Sequence, residues 1–234
     1  MKPFVNYAHR GASEYAPENT MLSFCMGLSM GANGIETDVQ RTKDGVLVLF
    51  HDDTIVRLTG AQGSVKDYTL AELRAFTFEN NGLADKILTF EDFLRFFGWR
   101  DLTFAIEIKQ QGIEKEIADM ILRYDVGEKC IVTSFMFECI AAIRAYAPEL
   151  KIGWLKKEIS QEDEQKLLSL GGEEICPFAP TLTPALVERW NKMGLRVRAW
   201  GVKDEEIMRH AYECNVAGMT VNFPDKLTVL LNKK

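Results

Sequence analysis

Short apolar segments alternate regularly with longer amphipathic ones from about residue 100 to the end of the chain. The apolar segments predict β-strands, at residues 102–109, 130–135, 151–155, 175–178, 196–202 and 218–223. The amphipathic segments predict helices, at about residues 113–125, 137–146, 163–170, 184–193, 204–214 and 225–232. Strands that alternate with helices pair in parallel, because each helix carries the chain back to the start of the next strand.

The first third of the chain continues this pattern less regularly. It predicts a strand at 4–9, a helix at about 18–31 and strands at 34–39 and 46–51. The number of barrel strands is about eight if 46–51 is an extension or a partner of 34–39. Because a closed (β/α)8 barrel usually takes roughly 250 residues, the 234 residues predict one TIM-type barrel domain over residues 1–234. No G-x-G-x-x-G sequence follows a strand, which counts against a dinucleotide-binding fold.

Residues 53–88 interrupt the alternation. Glycines are frequent there, and Thr69 with Glu72 three residues later forms a capping box that predicts a short helix. Thr89 with Asp92 predicts a second helix start. We interpret 53–88 as a small insertion after the second barrel strand region, lying over the barrel mouth, and not as a separate domain.

Composition narrows the class of protein. Hydrophobic residues make up 47% and charged residues 26% of the chain, which is typical of a globular protein with a sizeable core. A net charge of −6 excludes nucleic acid and anionic membrane as expected partners and leaves a small molecule. Five scattered cysteines, no export signal and no apolar run long enough for stable membrane insertion predict a cytoplasmic protein. No pattern indicates an oligomeric state.

Charged residues on two predicted strands are the first indication of chemistry. Glu36 and Asp38 lie two residues apart, as do Glu107 and Lys109, so each pair shares one face of its strand. In a barrel this face is the interior, near the carboxyl end where barrel active sites lie. Three converging carboxylates require a cation, and oxygen ligands favour Mg²⁺ or Ca²⁺, with Mn²⁺ also suitable. The sequence therefore predicts one divalent metal site.

Two of the three histidines end predicted strands. His9 ends the first strand and His51 ends the strand at 46–51. A pair of histidines beside a carboxylate cluster fits general acid–base catalysis, which needs groups that titrate near neutral pH. Arg10 and Lys109 add the positive charge that a phosphate requires.

These residues also carry a family resemblance. The string H-R-G-A-S-E-Y-A-P-E-N-T at 9–20, followed by E-T-D-V at 36–39, H-D at 51–52 and I-E-I-K at 106–109, resembles the glycerophosphodiester phosphodiesterase family. The full spaced set is highly specific, whereas any one fragment alone is weak. The resemblance extends more loosely to the C-terminus.

The resemblance implies a reaction and a role for each residue. His9 and His51 would be the general acid and base, with their order left open, and Glu36, Asp38 and Glu107 would hold the metal. Arg10 and Lys109 would contact the phosphate, Trp200 would lie against the glycerol moiety, and Glu18 and Asn19 would support the first loop. The reaction would be hydrolysis of a glycerophosphodiester to sn-glycerol 3-phosphate and an alcohol. The alternatives are a phospholipase-like lyase that releases a cyclic phosphate and a non-catalytic phosphoester-binding protein.

Three positions depart from the family pattern. Met136 stands where a polar residue is common, Lys203 where an asparagine is usual, and Asn222 where an aspartate is usual. We expect these departures to affect the alcohol group and not the phosphodiester chemistry. Lys203 would either favour an anionic diester or point into solvent.

Overall fold

Eight parallel strands close into a barrel in the computed structural model, which describes residues 4–233. The strands and their labels are β1 (Val5–His9), β2 (Gly34–Arg41), β6 (Thr103–Ile108), β7 (Cys130–Ser134), β8 (Lys151–Lys156), β9 (Glu174–Pro177), β10 (Arg196–Val202) and β11 (Gly218–Val221). β1 closes the ring because it pairs with both β2 and β11, Tyr7 facing Gly34 on one side and Thr220 on the other. The predicted TIM-type barrel is confirmed.

A helix follows each barrel strand along the chain, and the helices cover the outer face of the barrel. They are α1 (Met21–Ser29), α4 (Phe90–Phe97), α5 (Glu114–Arg123), α6 (Phe137–Tyr146), α7 (Gln161–Ser169), α8 (Pro184–Lys192), α9 (Glu205–Glu213) and α10 (Pro224–Leu231). Several begin at side-chain caps that fix where the chain turns into the next element. Thr89, Ser160 and Thr183 each accept a hydrogen bond from the backbone N–H three residues later.

The first helix begins later than the sequence predicts. The expected start near Glu18 is wrong, because Asn19 has a left-handed backbone with φ of 56° and cannot continue a helix. Thr20 is the N-cap instead, and its side chain accepts a hydrogen bond from Ser23 N–H. Residues 10–20 are therefore an ordered loop above the barrel and not the first turn of a helix.

The strand predicted at 46–51 is a short antiparallel partner of β2 and not an extension of it. β3 (Leu47–Leu49) pairs antiparallel with the end of β2, Val39 facing Leu49, and does not enter the barrel. The segment that follows contains α2 (Val56–Thr59), α3 (Leu70–Ala75) and a hairpin of β4 (Phe78–Asn80) and β5 (Leu83–Asp85). These elements and β3 enclose a hydrophobic cluster distinct from the main core: Val48, Phe50, Ile55, Val65, Leu73, Phe78 and Ile87.

The barrel interior contains a buried charged pair below the carboxyl ends of the strands. Arg198 of β10 donates from Nε to Oε1 of Glu174 of β9 at 2.7 Å, and both side chains are 1% exposed. The guanidinium lies 5.4 Å from the centre of the Tyr7 ring. Burial of an ion pair is costly unless its geometry is good, so this layer of the barrel is held by specific contacts and not only by apolar packing.

Among residues 4–233, no helix combines the length and the apolar character that crossing a bilayer would require.

Candidate active site

Three carboxylates meet inside the barrel at the carboxyl end of β2 and β6. Oxygens of Glu36, Asp38 and Glu107 lie within 4.8 Å of one another, and all three side chains are buried. The strand register explains this convergence, since Asp38 lies directly beside Glu107 in the parallel β2–β6 pair. The same-face prediction for these residues is confirmed. At this separation, two like charges repel by about 3.5 kcal/mol or more at an effective dielectric constant of roughly 20.

Arg10 and Lys109 place two positive charges against the carboxylates. Arg10 Nε lies 3.2 Å from Asp38 Oδ2, and Lys109 Nζ lies 2.9 Å from Glu107 Oε1 and 4.0 Å from Asp38 Oδ1. Burial opposes ionisation of Asp38, but Arg10, His51 and Lys109 outweigh it and hold the pKa of Asp38 below its ordinary value. Asp38 is therefore the carboxylate that the two cations stabilise most.

Glu36 and Glu107 are in a different electrostatic environment. Burial raises the pKa of Glu36 well above its ordinary value, and the charges of Asp38 and Glu107 raise it further. Burial and Asp38 likewise raise the pKa of Glu107, although Lys109 opposes this. Without a further cation, the site therefore disfavours full ionisation of all three carboxylates.

A divalent cation fits this donor set. Among the residues that the structure describes, neither Glu36 Oε2 nor Asp38 Oδ1 has a hydrogen-bond partner, although both atoms are buried. Unpaired buried oxygens are costly, and metal coordination is one of the few ways to satisfy them. Carboxylate oxygens alone favour a hard cation such as Mg²⁺ or Ca²⁺. With all three acids ionised, a divalent ion would change the charge of the cluster and its two cations from −1 to +1.

His9 ends β1 beside the carboxylates and is held from the opposite end of the chain. Its Nδ1 lies 2.6 Å from Asn222 Oδ1, so the ring donates to the amide oxygen and Nε2 is left without that proton. Nε2 lies 3.7 Å from Glu36 Oε2. Burial, then the neighbouring Arg10, lower the pKa of His9 to about 3.

Asn222 therefore faces a histidine. The expectation that its departure from the family pattern affects the alcohol group is not supported by this contact. The departure at Asn222 changes which group orients the His9 ring, an amide where a carboxylate is usual.

His51 follows β3 and is held by its neighbour in sequence. Its Nδ1 lies 2.8 Å from Asp52 Oδ1. Because a carboxylate oxygen only accepts, Nδ1 is the donor of this hydrogen bond, and Nε2 is the ring nitrogen that does not take part in it. Asp52 also accepts two bonds from Arg57 of α2, at 2.6 Å and 3.0 Å. Burial alone would raise the pKa of Asp52, but the hydrogen bonds from Arg57 and His51 outweigh it and lower the pKa to about 2. Asp52 is therefore ionised near neutral pH.

The first loop holds Arg10 in an unusual backbone conformation. Arg10 has φ of 56°, and its carbonyl accepts from Asn19 N–H, a second residue with positive φ. Gly11 follows with φ of 86°, and a Cβ there would lie 2.2 to 2.6 Å from Ser23. The Asn19 side chain donates to Asp38 Oδ2 at 2.9 Å. The loop thereby fixes both a cation and a metal-ligand candidate, because non-glycine residues adopt this backbone only when their surroundings enforce it.

Trp200 lies at the mouth within a group of aromatic rings. Its ring centre is 4.9 Å from both Phe135 and Phe178, and Lys109 Nζ lies 5.9 Å from the Phe135 ring. A shift in the β10–β11 register between residues 199 and 202 marks a bulge, which reorients the strand at this point. Phe135 thus lies between Trp200 and Lys109.

The other two departures from the family pattern lie elsewhere. Lys203 is exposed, so the solvent alternative describes it better than a pocket role. Met136 packs partly buried against the main core. The third histidine, His210, contacts the carbonyl of Leu182 and is not part of the cluster. A cavity of about 1090 Å³ lies at the amino ends of the strands and contains none of the residues that the sequence predicts for the site.

Sequence reasoning missed residues that act on the predicted ones. Asn222 could be identified as a partner of His9 only from the fold, because 213 residues separate them. Asp52 was visible in the H-D motif, but its contact with Arg57 was not. The closed barrel and the acidic, basic and imidazole groups at its carboxyl end together define a barrel enzyme.

Comparison with known proteins gives the family. Residues 9–226 match the model of the glycerophosphoryl diester phosphodiesterase family. A glycerophosphodiester phosphodiesterase of Caldanaerobacter subterraneus subsp. tengcongensis is 35% identical over 100% of this chain and 99% of its own length. One from Bacillus subtilis is 30% identical over 94% of this chain and 84% of its own length. The chain belongs to the glycerophosphoryl diester phosphodiesterase family.

A solved structure supports the fold assignment. An Oleispira antarctica phosphodiesterase, in complex with the product sn-glycerol-3-phosphate, matches with a TM-score of 0.87 and 23% identity. The match covers 97% of this chain and 96% of that one.

Proposed function

We propose that this protein hydrolyses glycerophosphodiesters to sn-glycerol 3-phosphate and an alcohol, with one divalent cation held by Glu36, Asp38 and Glu107. The observation that carries the proposal is the juxtaposition of two unpaired, buried carboxylate oxygens with two oriented histidines and two cations. The Oleispira antarctica enzyme, which binds sn-glycerol-3-phosphate, supports the choice of product.

Each side chain has a task that its contacts suit. Arg10 and Lys109 would bind the phosphate oxygens, since guanidinium and ammonium groups donate charge-assisted hydrogen bonds to them. Trp200 would pack against the glycerol carbons. When bound, the metal would polarise a phosphate oxygen and lower the pKa of the attacking hydroxyl.

His9 and His51 would move the protons. Both rings donate through Nδ1, to Asn222 and Asp52 respectively, so Nε2 is the nitrogen available for proton transfer in each. One takes the proton of the attacking hydroxyl and the other protonates the leaving alcohol. The attacking hydroxyl is water, which gives sn-glycerol 3-phosphate directly, or the 2-hydroxyl of the substrate, which gives a cyclic phosphate that water then opens to sn-glycerol 3-phosphate. The partners differ in charge, because Asp52 is a carboxylate that stabilises an imidazolium and Asn222 is neutral.

The test is turnover of sn-glycero-3-phosphocholine and sn-glycero-3-phosphoethanolamine by purified protein. Activity should disappear with chelator and return with Mg²⁺, Ca²⁺ or Mn²⁺. His9→Gln and His51→Gln should lower kcat by about 10²- to 10⁴-fold, the usual contribution of general acid–base groups. His210→Gln is the matched control and should retain wild-type kcat.

The alternatives give different results in the same assay. Phosphorus NMR that shows a cyclic phosphate as the final product would identify a lyase. Binding of the diester without turnover at any metal concentration would identify a phosphoester-binding protein. Full activity in the presence of chelator would refute the metal assignment.

A further inference from the structure

A continuous chain of charged side chains connects the two halves of the site. Arg10 donates to Glu18 Oε1 at 3.2 Å, and Glu18 accepts two bonds from Arg57 at 2.7 Å and 2.9 Å. Arg57 also donates two bonds to Asp52, and Asp52 holds His51 Nδ1. One guanidinium therefore bridges the carboxylate that holds Arg10 and the carboxylate that holds His51.

Arg57 comes from a different part of the fold than the groups it connects. Glu18 belongs to the loop after β1, Asp52 follows β3, and Arg57 lies in α2 of the segment between β3 and α4. A second set of contacts joins the same two regions. Asn80 donates to the carbonyls of Ser13 and Ala16. The inserted segment thus contacts the first loop both through charge and through the backbone.

The contacts of Arg57 suit a side chain that orients its neighbours better than one that stabilises the fold. The Arg57 side chain is 49% exposed, and ion pairs that are this exposed contribute little to folding stability. Each carboxylate nevertheless accepts two hydrogen bonds from it, which fixes orientation as well as distance. Arg57 thus holds Glu18 while Glu18 also contacts Arg10, and it holds Asp52 while Asp52 also contacts His51.

We propose that Arg57 is a positioning residue that sets Arg10 and His51 relative to each other through Glu18 and Asp52. The inference rests on the proposed function of those two residues. Among residues 4–233, the cations that pair with Glu18 are Arg10 and Arg57. Without Arg57, Glu18 would pair with Arg10 alone and would draw it away from the phosphate. Asp52 would lose the partner that keeps its second oxygen occupied, and its carboxylate would be free to rotate away from His51.

The test compares Arg57→Ala, Arg57→Lys and Arg57→Gln with wild type. Arg57→Ala should lower kcat by about 10- to 100-fold, the effect expected when catalytic groups are displaced by about 1 Å. Arg57→Lys should recover only part of this loss, because an ammonium cannot pair with both carboxylates in a plane. Mg²⁺ binding, measured by calorimetry, should persist in Arg57→Ala, since Arg57 is not one of the three carboxylates that would hold the metal.

Arg74 is a matched control on the same inserted segment. Its side chain is 50% exposed and pairs with Asp92 at 3.4 Å, so Arg74→Ala removes a comparably exposed ion pair away from the site. This variant should keep wild-type kcat and KM. Thermal denaturation of Arg57→Ala and Arg74→Ala should give midpoints within a few degrees of each other.

A double-mutant cycle distinguishes positioning from a general effect on folding. If Arg57 acts through Asp52, the kcat loss of Arg57→Ala with Asp52→Asn should be far smaller than the product of the single losses. A multiplicative result, or wild-type kcat in Arg57→Ala, would overturn the proposal. If Arg57→Ala fails to fold, Arg57→Gln and Arg57→Lys decide, and equal kcat in these two would also overturn it. An inactive wild type would instead refute the proposed function.

Discussion

The buried pair of Arg198 and Glu174 gives the most direct test of what holds the barrel together. Removing either partner leaves the other charge without its counter-ion inside the protein. Arg198→Met deletes the cation at nearly constant volume, and Glu174→Gln deletes the anion at nearly constant shape. Because both side chains are 1% exposed, solvent cannot replace the lost partner. Each single change should cost about 3 to 5 kcal/mol.

The same reasoning predicts a different result for the double change. Arg198→Met with Glu174→Met removes both charges and both desolvation penalties, so its stability should return to within about 1 kcal/mol of wild type or exceed it. For a chain of this length, 1 kcal/mol shifts the melting temperature by roughly 2 to 4 °C. The single variants should therefore melt about 6 to 20 °C below wild type, and the double variant near it.

Circular dichroism during thermal and urea unfolding measures both quantities. Val197→Ala is a useful comparison, since this fully buried neighbour on β10 should lose stability through a cavity alone. The reasoning is refuted if Arg198→Met unfolds within 1 kcal/mol of wild type. It is also refuted if the double variant is as unstable as the sum of the two single variants.

Three further predictions concern the metal, the first loop and pH. Mg²⁺ at about 100 times its Kd should raise the free energy of unfolding by about 2.7 kcal/mol. Scanning calorimetry of Glu107→Gln should show that most of this gain is lost. Gly11→Ala should lower both stability and kcat, because its Cβ would lie within 2.6 Å of Ser23. Gly45→Ala also has a positive φ, 85°, but its Cβ would meet no atom within 4 Å, so its free energy of unfolding should fall by only about 1 kcal/mol. Urea unfolding compares the two variants. Because the pKa of Asp52 is lowered to about 2, this carboxylate contributes up to about 2 kcal/mol to the free energy of unfolding. The contribution is present above pH 4 and is lost as the pH falls through 2. In Asp52→Asn, the free energy of unfolding in urea should therefore depend less on pH between 5 and 2 than in wild type. A wild-type slope in Asp52→Asn would contradict that last assignment.

The barrel was predictable because its signal is local and repeated. Apolar strands and amphipathic helices alternate at a length that only parallel strands with helical crossovers satisfy. The acidic cluster was predictable for a related reason. A strand places alternate residues on one face, and the register of β2 and β6 then brings Asp38 beside Glu107.

The remaining features depend on contacts between distant parts of the chain. The sequence left open whether 46–51 extends or pairs with 34–39, because an apolar run of that length fits either arrangement. The predicted start of α1 near residue 18 is wrong because the contacts around Asn19 enforce a left-handed residue, and those contacts come from other parts of the chain. The contact of Arg57 with Glu18 joins residues 39 positions apart, and no local sequence pattern predicts such a contact.

The position of β3 outside the barrel has a consequence for how the protein loses activity on heating. His51 follows a strand of three residues whose side chains pack partly into the separate cluster of the inserted segment, so its placement depends on a smaller cooperative unit than the barrel. Partial unfolding of that unit would displace His51 and Arg57 together while the barrel strands and the acidic cluster persist. Under the proposed mechanism, heat inactivation would then precede the loss of barrel secondary structure, and amide hydrogen exchange in residues 47–88 would report the temperature at which it begins.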